Sequence, residues 1–191
     1  GLDHAHNLWD GTTKVGLVHR DLKPGNLVLS RLGAVKILDF GTARAEFSER
    51  EAKTRSLYFG TMDYMAPERL DFIDGPEGDV YALGTVLYEA LLGERLGKTS
   101  PNPKRHLAHL TERMNHFWQQ THGQSEDLYR LIAEMLSFEP ASRPTAKEVE
   151  RRCASLQRSL NSQQIREWAA QKLPRLMEVR APVDGDEMTG S

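Results

Sequence analysis

Apolar residues recur at helical spacing through the second half of the chain, and this periodicity restricts the fold more than any other feature. Val80, Leu83, Leu87, Tyr88 and Leu91 lie three to four positions apart, with Gly93 as a C-terminal stop. Leu128, Leu131, Ile132, Met135 and Leu136 mark a second, strongly amphipathic helix with Ser125 in the N-cap position. Thr145-Ala146-Lys147-Glu148 has the form of a capping box, in which hydroxyl and carboxylate satisfy the first free amides of a helix. Ile165, Trp168, Ala169 and Leu173 predict one more helix, interrupted near Pro174. At the other end, Leu2, Ala5 and Leu8 read as the last turns of a helix over Gly1–Trp9, and Asp10-Gly11-Thr12-Thr13 is a turn. Only Leu27-Val28-Leu29 and Ala34–Leu38 favour strand, and Ser30-Arg31-Leu32-Gly33 between them predicts a hairpin. The expected class is mainly α.

Composition narrows the function. The 191 residues carry 25 Lys+Arg against 27 Asp+Glu, so the chain has no basic footprint for nucleic acid. A hydrophobic share of 39% is enough for a packed core. Cys153 is the only cysteine, which excludes an internal disulfide or a cysteine zinc site and fits a reducing compartment, hence a cytoplasmic location. No apolar run approaches the ~20 residues that cross a bilayer.

Three short strings carry the chemistry: His19-Arg20-Asp21-Leu22-Lys23-Pro24-Gly25-Asn26, then Asp39-Phe40-Gly41, then Ala66-Pro67-Glu68. In this order the sequence resembles the eukaryotic-type (Hanks-type) serine/threonine protein kinases, from Gly1 to about Leu160. The resemblance implies the helical C-terminal lobe of that fold, with ATP and Mg²⁺ (or Mn²⁺) as cofactors and protein serine or threonine hydroxyls as substrate. It makes Asp21 the catalytic base and puts the positive charge of Lys23 beside the transferring phosphate. Asn26 and Asp39 offer the hard oxygen ligands that suit Mg²⁺, and Val28 forms part of the floor under adenine. His19 and Phe40 resemble the family's stacked regulatory column, and Gly41 completes the second motif. Asp79 would anchor the catalytic loop from below, and Glu68 would pair with Arg143. Thr61 would touch Asp21 and Lys23, and with Lys23 it points to serine and threonine substrates rather than tyrosine. Arg20 beside Asp21 suggests a loop controlled by charge. Within the expected surface loop Gly41–Phe59, Thr54 and Ser56 are the favoured phosphorylation candidates, ahead of Ser48.

The resemblance divides the chain into a kinase C-terminal lobe over 1–160, an extra amphipathic helix over 161–178 and a flexible tail over 179–191. No G-x-G-x-x-G is present, and nothing supplies the phosphate-contacting lysine or its glutamate partner. These residues are therefore expected to form a fragment without the N-terminal lobe, binding ATP weakly and leaving apolar cleft surface exposed. The insertion Asp10–Gly16 resembles bacterial members of the family. Those often continue into a membrane span, which would put this domain on the cytoplasmic side. The alternatives are a pseudokinase scaffold, opposed by intact Asp21, Lys23, Asn26 and Asp39, and a small-molecule kinase, opposed by Ala66-Pro67-Glu68 and Thr61. His4 and His6, two apart on a helix, make a poor metal pair, His106 and His109 read as surface histidines rather than metal ligands, Cys153 as structural, and Arg151-Arg152 as a solvated face.

Overall fold

The computed structural model describes residues 1–40, 61–71, 73–159 and 165–178. Helix α1 (Leu2–His6) leads into a small hairpin, β1 (Trp9–Asp10) and β2 (Thr13–Lys14), and a second hairpin pairs β3 (Leu27–Leu29) with β4 (Val35–Ile37). Helices α2 (Pro76–Leu92), α3 (Pro103–Gln120), α4 (Glu126–Met135), α5 (Ala146–Ser159) and α6 (Ile165–Glu178) follow. The mainly α expectation holds, and the chain has a short antiparallel ribbon around Gly11 where the sequence predicted only a turn.

Helix α2 is the axis of the fold. The run Val80-Tyr81-Ala82-Leu83-Gly84-Thr85-Val86-Leu87-Tyr88 is apolar nearly all round, and such a helix must be buried on more than one side. Val80, Ala82 and Val86 join a core with Leu22, Leu131, Met135 and Val149. Tyr81 and Tyr88 join another with Met114, Phe117, Ile132 and Leu136. The single apolar stripe read from the sequence is thus corrected: Tyr81 and Ala82 are buried, whereas Leu91 is 47% exposed. Gly84 permits the close approach of α4, because a Cβ there would lie 3.0 Å from the Met135 Cβ. Leu131, Ile132 and Met135 are fully buried, each contributing about 2–3 kcal/mol by apolar burial.

Caps explain the starts of α3, α4 and α5. Asn102 accepts the Arg105 N–H at 3.1 Å with Pro103 at the first position of α3, and Ser125 accepts the Leu128 N–H at 3.2 Å. Thr145 accepts the Glu148 N–H at 3.2 Å, but the Glu148 carboxylate turns to Arg151, so only half of the expected capping box forms. Arg152 is also less solvated than expected, because it reaches Glu134 on α4. Helix α6 continues through Pro174 rather than stopping there; fully buried Ala169 one turn earlier ties it to the body, while Trp168 stays exposed.

His106 requires a further correction. It lies on α3, is 2% exposed, donates from Nε2 to the Leu136 carbonyl at 3.0 Å and accepts at Nδ1 from Thr99 at 3.0 Å. Burial pushes its pKa down. It is a core residue, not a surface histidine.

Candidate active site

The segment between α1 and β3 is held at both ends. Leu17 N–H bonds the Ala5 carbonyl at 2.7 Å, and Leu22, 1% exposed, anchors the middle of the loop in the core. His19 is fully buried and touches three things at once. Its N–H reaches Asp79 Oδ2 at 2.7 Å, its Nε2 donates to the Leu38 carbonyl at 2.7 Å, and its ring meets Phe40 edge-on at 4.8 Å. Because Nδ1 accepts the Asp21 N–H at 3.3 Å, these partners assign the ring hydrogen to Nε2. Arg20 takes the left-handed region at φ 71°, which lets consecutive amides aim at one carboxylate; its N–H meets Asp79 Oδ1 at 2.9 Å. That conformation costs about 1–2 kcal/mol in a residue with a Cβ, so the Asp79 bonds must outweigh it.

Beyond this clamp the polar residues converge. Asp21 Oδ2 accepts Lys23 Nζ at 2.7 Å and Asn26 Nδ2 at 3.2 Å, and the same Asn26 nitrogen donates to the Asp21 carbonyl at 2.7 Å. Two acceptors on Asp21 therefore orient the Asn26 amide and leave its oxygen as the end available to a cation. Among the described residues, Asp21 Oδ1 is buried without a hydrogen-bond partner. An unmatched buried acceptor costs about 1–3 kcal/mol.

The second hairpin brings Asp39 to the same end. Leu27 pairs with Ile37, and Leu38 N–H bonds the Asn26 carbonyl at 2.9 Å, so Asp39 follows directly on the strand position beside Asn26. Asp39 has φ 58° and is exposed. Asn26 and Asp39 each carry a hard oxygen of the kind Mg²⁺ accepts, and two such residues could hold the ion only with waters and phosphate oxygens as its other ligands. No group of three or more His, Cys, Asp or Glu among the described residues could hold a metal by itself. Val28 on β3 is 42% exposed, as is Leu38 on the other side of the hairpin. Gly41, Ser48, Thr54 and Ser56 lie outside the described residues. Thr61 opens the 3-10 turn Thr61–Tyr64.

Behind the loop, Asp79 is the hub. Besides the His19 and Arg20 amides it accepts His6 Nε2 at 3.0 Å and Arg69 Nη2 at 2.8 Å, and it is completely buried. Burial alone would push its carboxyl up, but the His6 hydrogen bond, the Arg69 guanidinium and the His19 N–H together hold it down at about 2. Glu68 and Arg143 form a bidentate pair at 2.6 and 2.7 Å. Arg143 also donates to the carbonyls of Ser137, Phe138 and Glu77, and its guanidinium stacks 4.9 Å from the Tyr81 ring centre. Each of its N–H donors therefore has a partner.

His6, Arg69 and Asp74 also belong to this assembly, although the sequence did not single them out as site residues. Arg69 donates to the Arg20 carbonyl at 3.1 Å and to Asp74 at 3.2 Å, and Arg20 Nε bonds the other oxygen of Asp74. A cavity of about 320 Å³ borders His6, Lys14, Glu77 and Arg143, sharing no residue with Asp21, Asn26 or Asp39, so it is separate from the polar cluster.

Comparison with known proteins agrees with this geometry. Over 81 residues the chain is 46% identical to serine/threonine-protein kinase PknB of Mycobacterium leprae, covering 41% of this chain and 13% of that protein. Over 102 residues it is 42% identical to serine/threonine-protein kinase PknA of Mycobacterium tuberculosis, covering 49% of this chain and 23% of the relative. The chain thus spans less than a quarter of the length of either of these relatives. The family model described as "protein kinase domain" matches residues 2–152, and over that span the chain belongs to the protein kinase family.

Proposed function

We propose that the protein containing this chain transfers the γ-phosphoryl group of ATP to serine or threonine hydroxyls of proteins. The observation that carries the reading is the Asp21 carboxylate: one oxygen is fixed by Lys23 and Asn26, and the other is buried without a partner at the tip of a clamped loop. A hydroxyl donating to that free oxygen would be aimed for attack and would hand its proton to Asp21 as the new O–P bond forms. Lys23, already 2.7 Å from Asp21, would neutralise charge gathering on the transferred group. Asn26 and Asp39 would hold Mg²⁺, which supplies charge neutralisation between the phosphates. Half-exposed Val28 would lie under the adenine.

Serine and threonine, rather than tyrosine, are favoured by Lys23 in the catalytic loop and by the names of the relatives. Among the described residues no helix is long and apolar enough to cross a membrane. The sole cysteine fits a cytoplasmic location. The test is to incubate the full-length gene product with Mg·ATP and a basic protein, then identify the modified residues. Phosphoserine or phosphothreonine supports the reading, and phosphotyrosine alone or no transfer contradicts it.

A further inference from the structure

The cavity of about 320 Å³ lies among α1, the first hairpin and the starts of α2 and α5. Its volume is in the lower part of the range that takes small molecules, about 300–1,000 Å³. Pro76, Val80, Pro140, Pro144 and Ala146 give it an apolar wall. The prolines have no N–H, so that wall has few donors for an anion.

Most side-chain donors around the space are already spent inside the fold. His6, with a side chain 7% exposed, gives Nε2 to Asp79, and Arg143, at 0%, gives its N–H groups to Glu68 and to three carbonyls. The Asn7 amide donates to Asp3, and exposed Lys14 donates to Asn7 Oδ1 at 2.9 Å from the rim. Acceptors are left over. Asp3 and Glu77 both border the cavity, and among the described residues neither carboxylate is in an ion pair. The charges of His6 and Arg143 are answered behind the wall by Asp79 and Glu68, so Asp3 and Glu77 face only Lys14. The space therefore keeps an excess of one negative charge.

We propose that this cavity binds a small organic cation, its ammonium answered by Asp3 and Glu77 and its apolar body lying on the proline wall. Occupancy would reach the catalytic loop through one side chain. His6 bonds Asp79 Oδ2, the oxygen that also receives the His19 N–H at 2.7 Å, so a ligand packed against His6 restrains the loop as well. Binding at this site does not depend on the phosphotransfer reading.

The test titrates the full-length gene product by calorimetry with benzylamine, benzyl alcohol and phenylacetate, which share a ring and differ in charge. Benzylamine should bind with a Kd of about 1 mM or tighter, the range open to so small a ligand, and the other two at least about tenfold more weakly. Glu77→Gln and Asp3→Asn keep the shape of the side chain, and each should weaken benzylamine about three- to tenfold with the unfolding midpoint near that of wild type. Equal binding of benzyl alcohol, preference for phenylacetate, no saturation by benzylamine, or wild-type affinity in both variants overturns the proposal. Amide hydrogen exchange supplies the location. Saturating benzylamine should slow exchange severalfold over residues 3–14 and 76–80 and, through His6, over residues 19–22. Unchanged exchange over 3–14 overturns the site, and slowing there without any over 19–22 overturns the link to the loop.

Discussion

Removing Glu68 should be among the most damaging single changes in the chain. In Glu68→Ala the Arg143 guanidinium stays where it is, 0% exposed, with three backbone carbonyls still in reach but no anion. Two charge-assisted hydrogen bonds of 2.6 and 2.7 Å disappear. At about 1.5–3 kcal/mol each they amount to roughly 3–6 kcal/mol, and the surviving carbonyl contacts place the loss at the lower end. Measured losses from half-removed buried pairs, about 3–5 kcal/mol, bracket the same value. For a domain of this size that is a fall in Tm of roughly 6–20 °C, readable by tryptophan fluorescence during thermal or urea unfolding. Arg151→Ala is the control: its pair with Glu148 is exposed, and the midpoint should shift by less than about 1 kcal/mol. Replacing both Glu68 and Arg143 with apolar residues of similar size should recover part of the loss, because no lone charge is then left buried. A Glu68→Ala midpoint within about 1 kcal/mol of wild type would refute the reasoning.

Other perturbations follow from the same contacts. The carboxyl of Asp79 lies at about 2 in the fold against 3.8 when free, so its stabilisation is complete above the free value and is lost as pH falls toward the folded one. The loss should be about 2–3 kcal/mol between those limits, and Asp79→Asn should flatten that part of the stability profile. Gly78→Ala should displace Arg69 and destabilise by about 1–3 kcal/mol in thermal melts, whereas Gly25→Ala, with nothing within 4 Å of the added carbon, should be neutral within about 0.5 kcal/mol. Calorimetry of the 191-residue chain with Mg·ATP should show binding weaker than micromolar, because on the proposed reading Val28, Asn26 and Asp39 would supply only one wall of a nucleotide site and the sequence holds no glycine-rich phosphate loop.

What could be read from the sequence and what could not separate along physical lines. Asp21, Lys23 and Asn26 were readable because they act within one loop, at separations of two and five positions. The strand pairing after them was readable for the same reason, from two short apolar runs and a four-residue turn. Helix α3 was missed because its buried face runs His106, Leu110, Met114, Phe117, and a histidine at its head breaks the apolar pattern. The misread histidine and the missing helix are one error. The signal that could have found both was Asn102-Pro103, a cap followed by the proline that opens helices. His6 and Asp79 are 73 positions apart, so no local pattern joins them; the role of His6 exists only once the fold brings the end of α1 to the first turn of α2. Arg69 was hidden next to the recognisable Glu68, and Asp74 in a turn where aspartate is ordinary.

The most direct measurement of the central claim is the rate of phosphoryl transfer by the full-length gene product with Asp21 intact and as Asp21→Asn, in the presence of Mg·ATP and a protein substrate. Loss of the carboxylate that receives the hydroxyl proton should slow transfer about 10²–10⁴-fold while the unfolding midpoint stays close to wild type. Equal rates for the two proteins would contradict the assignment of Asp21, and with it the reading of this loop as the catalytic centre.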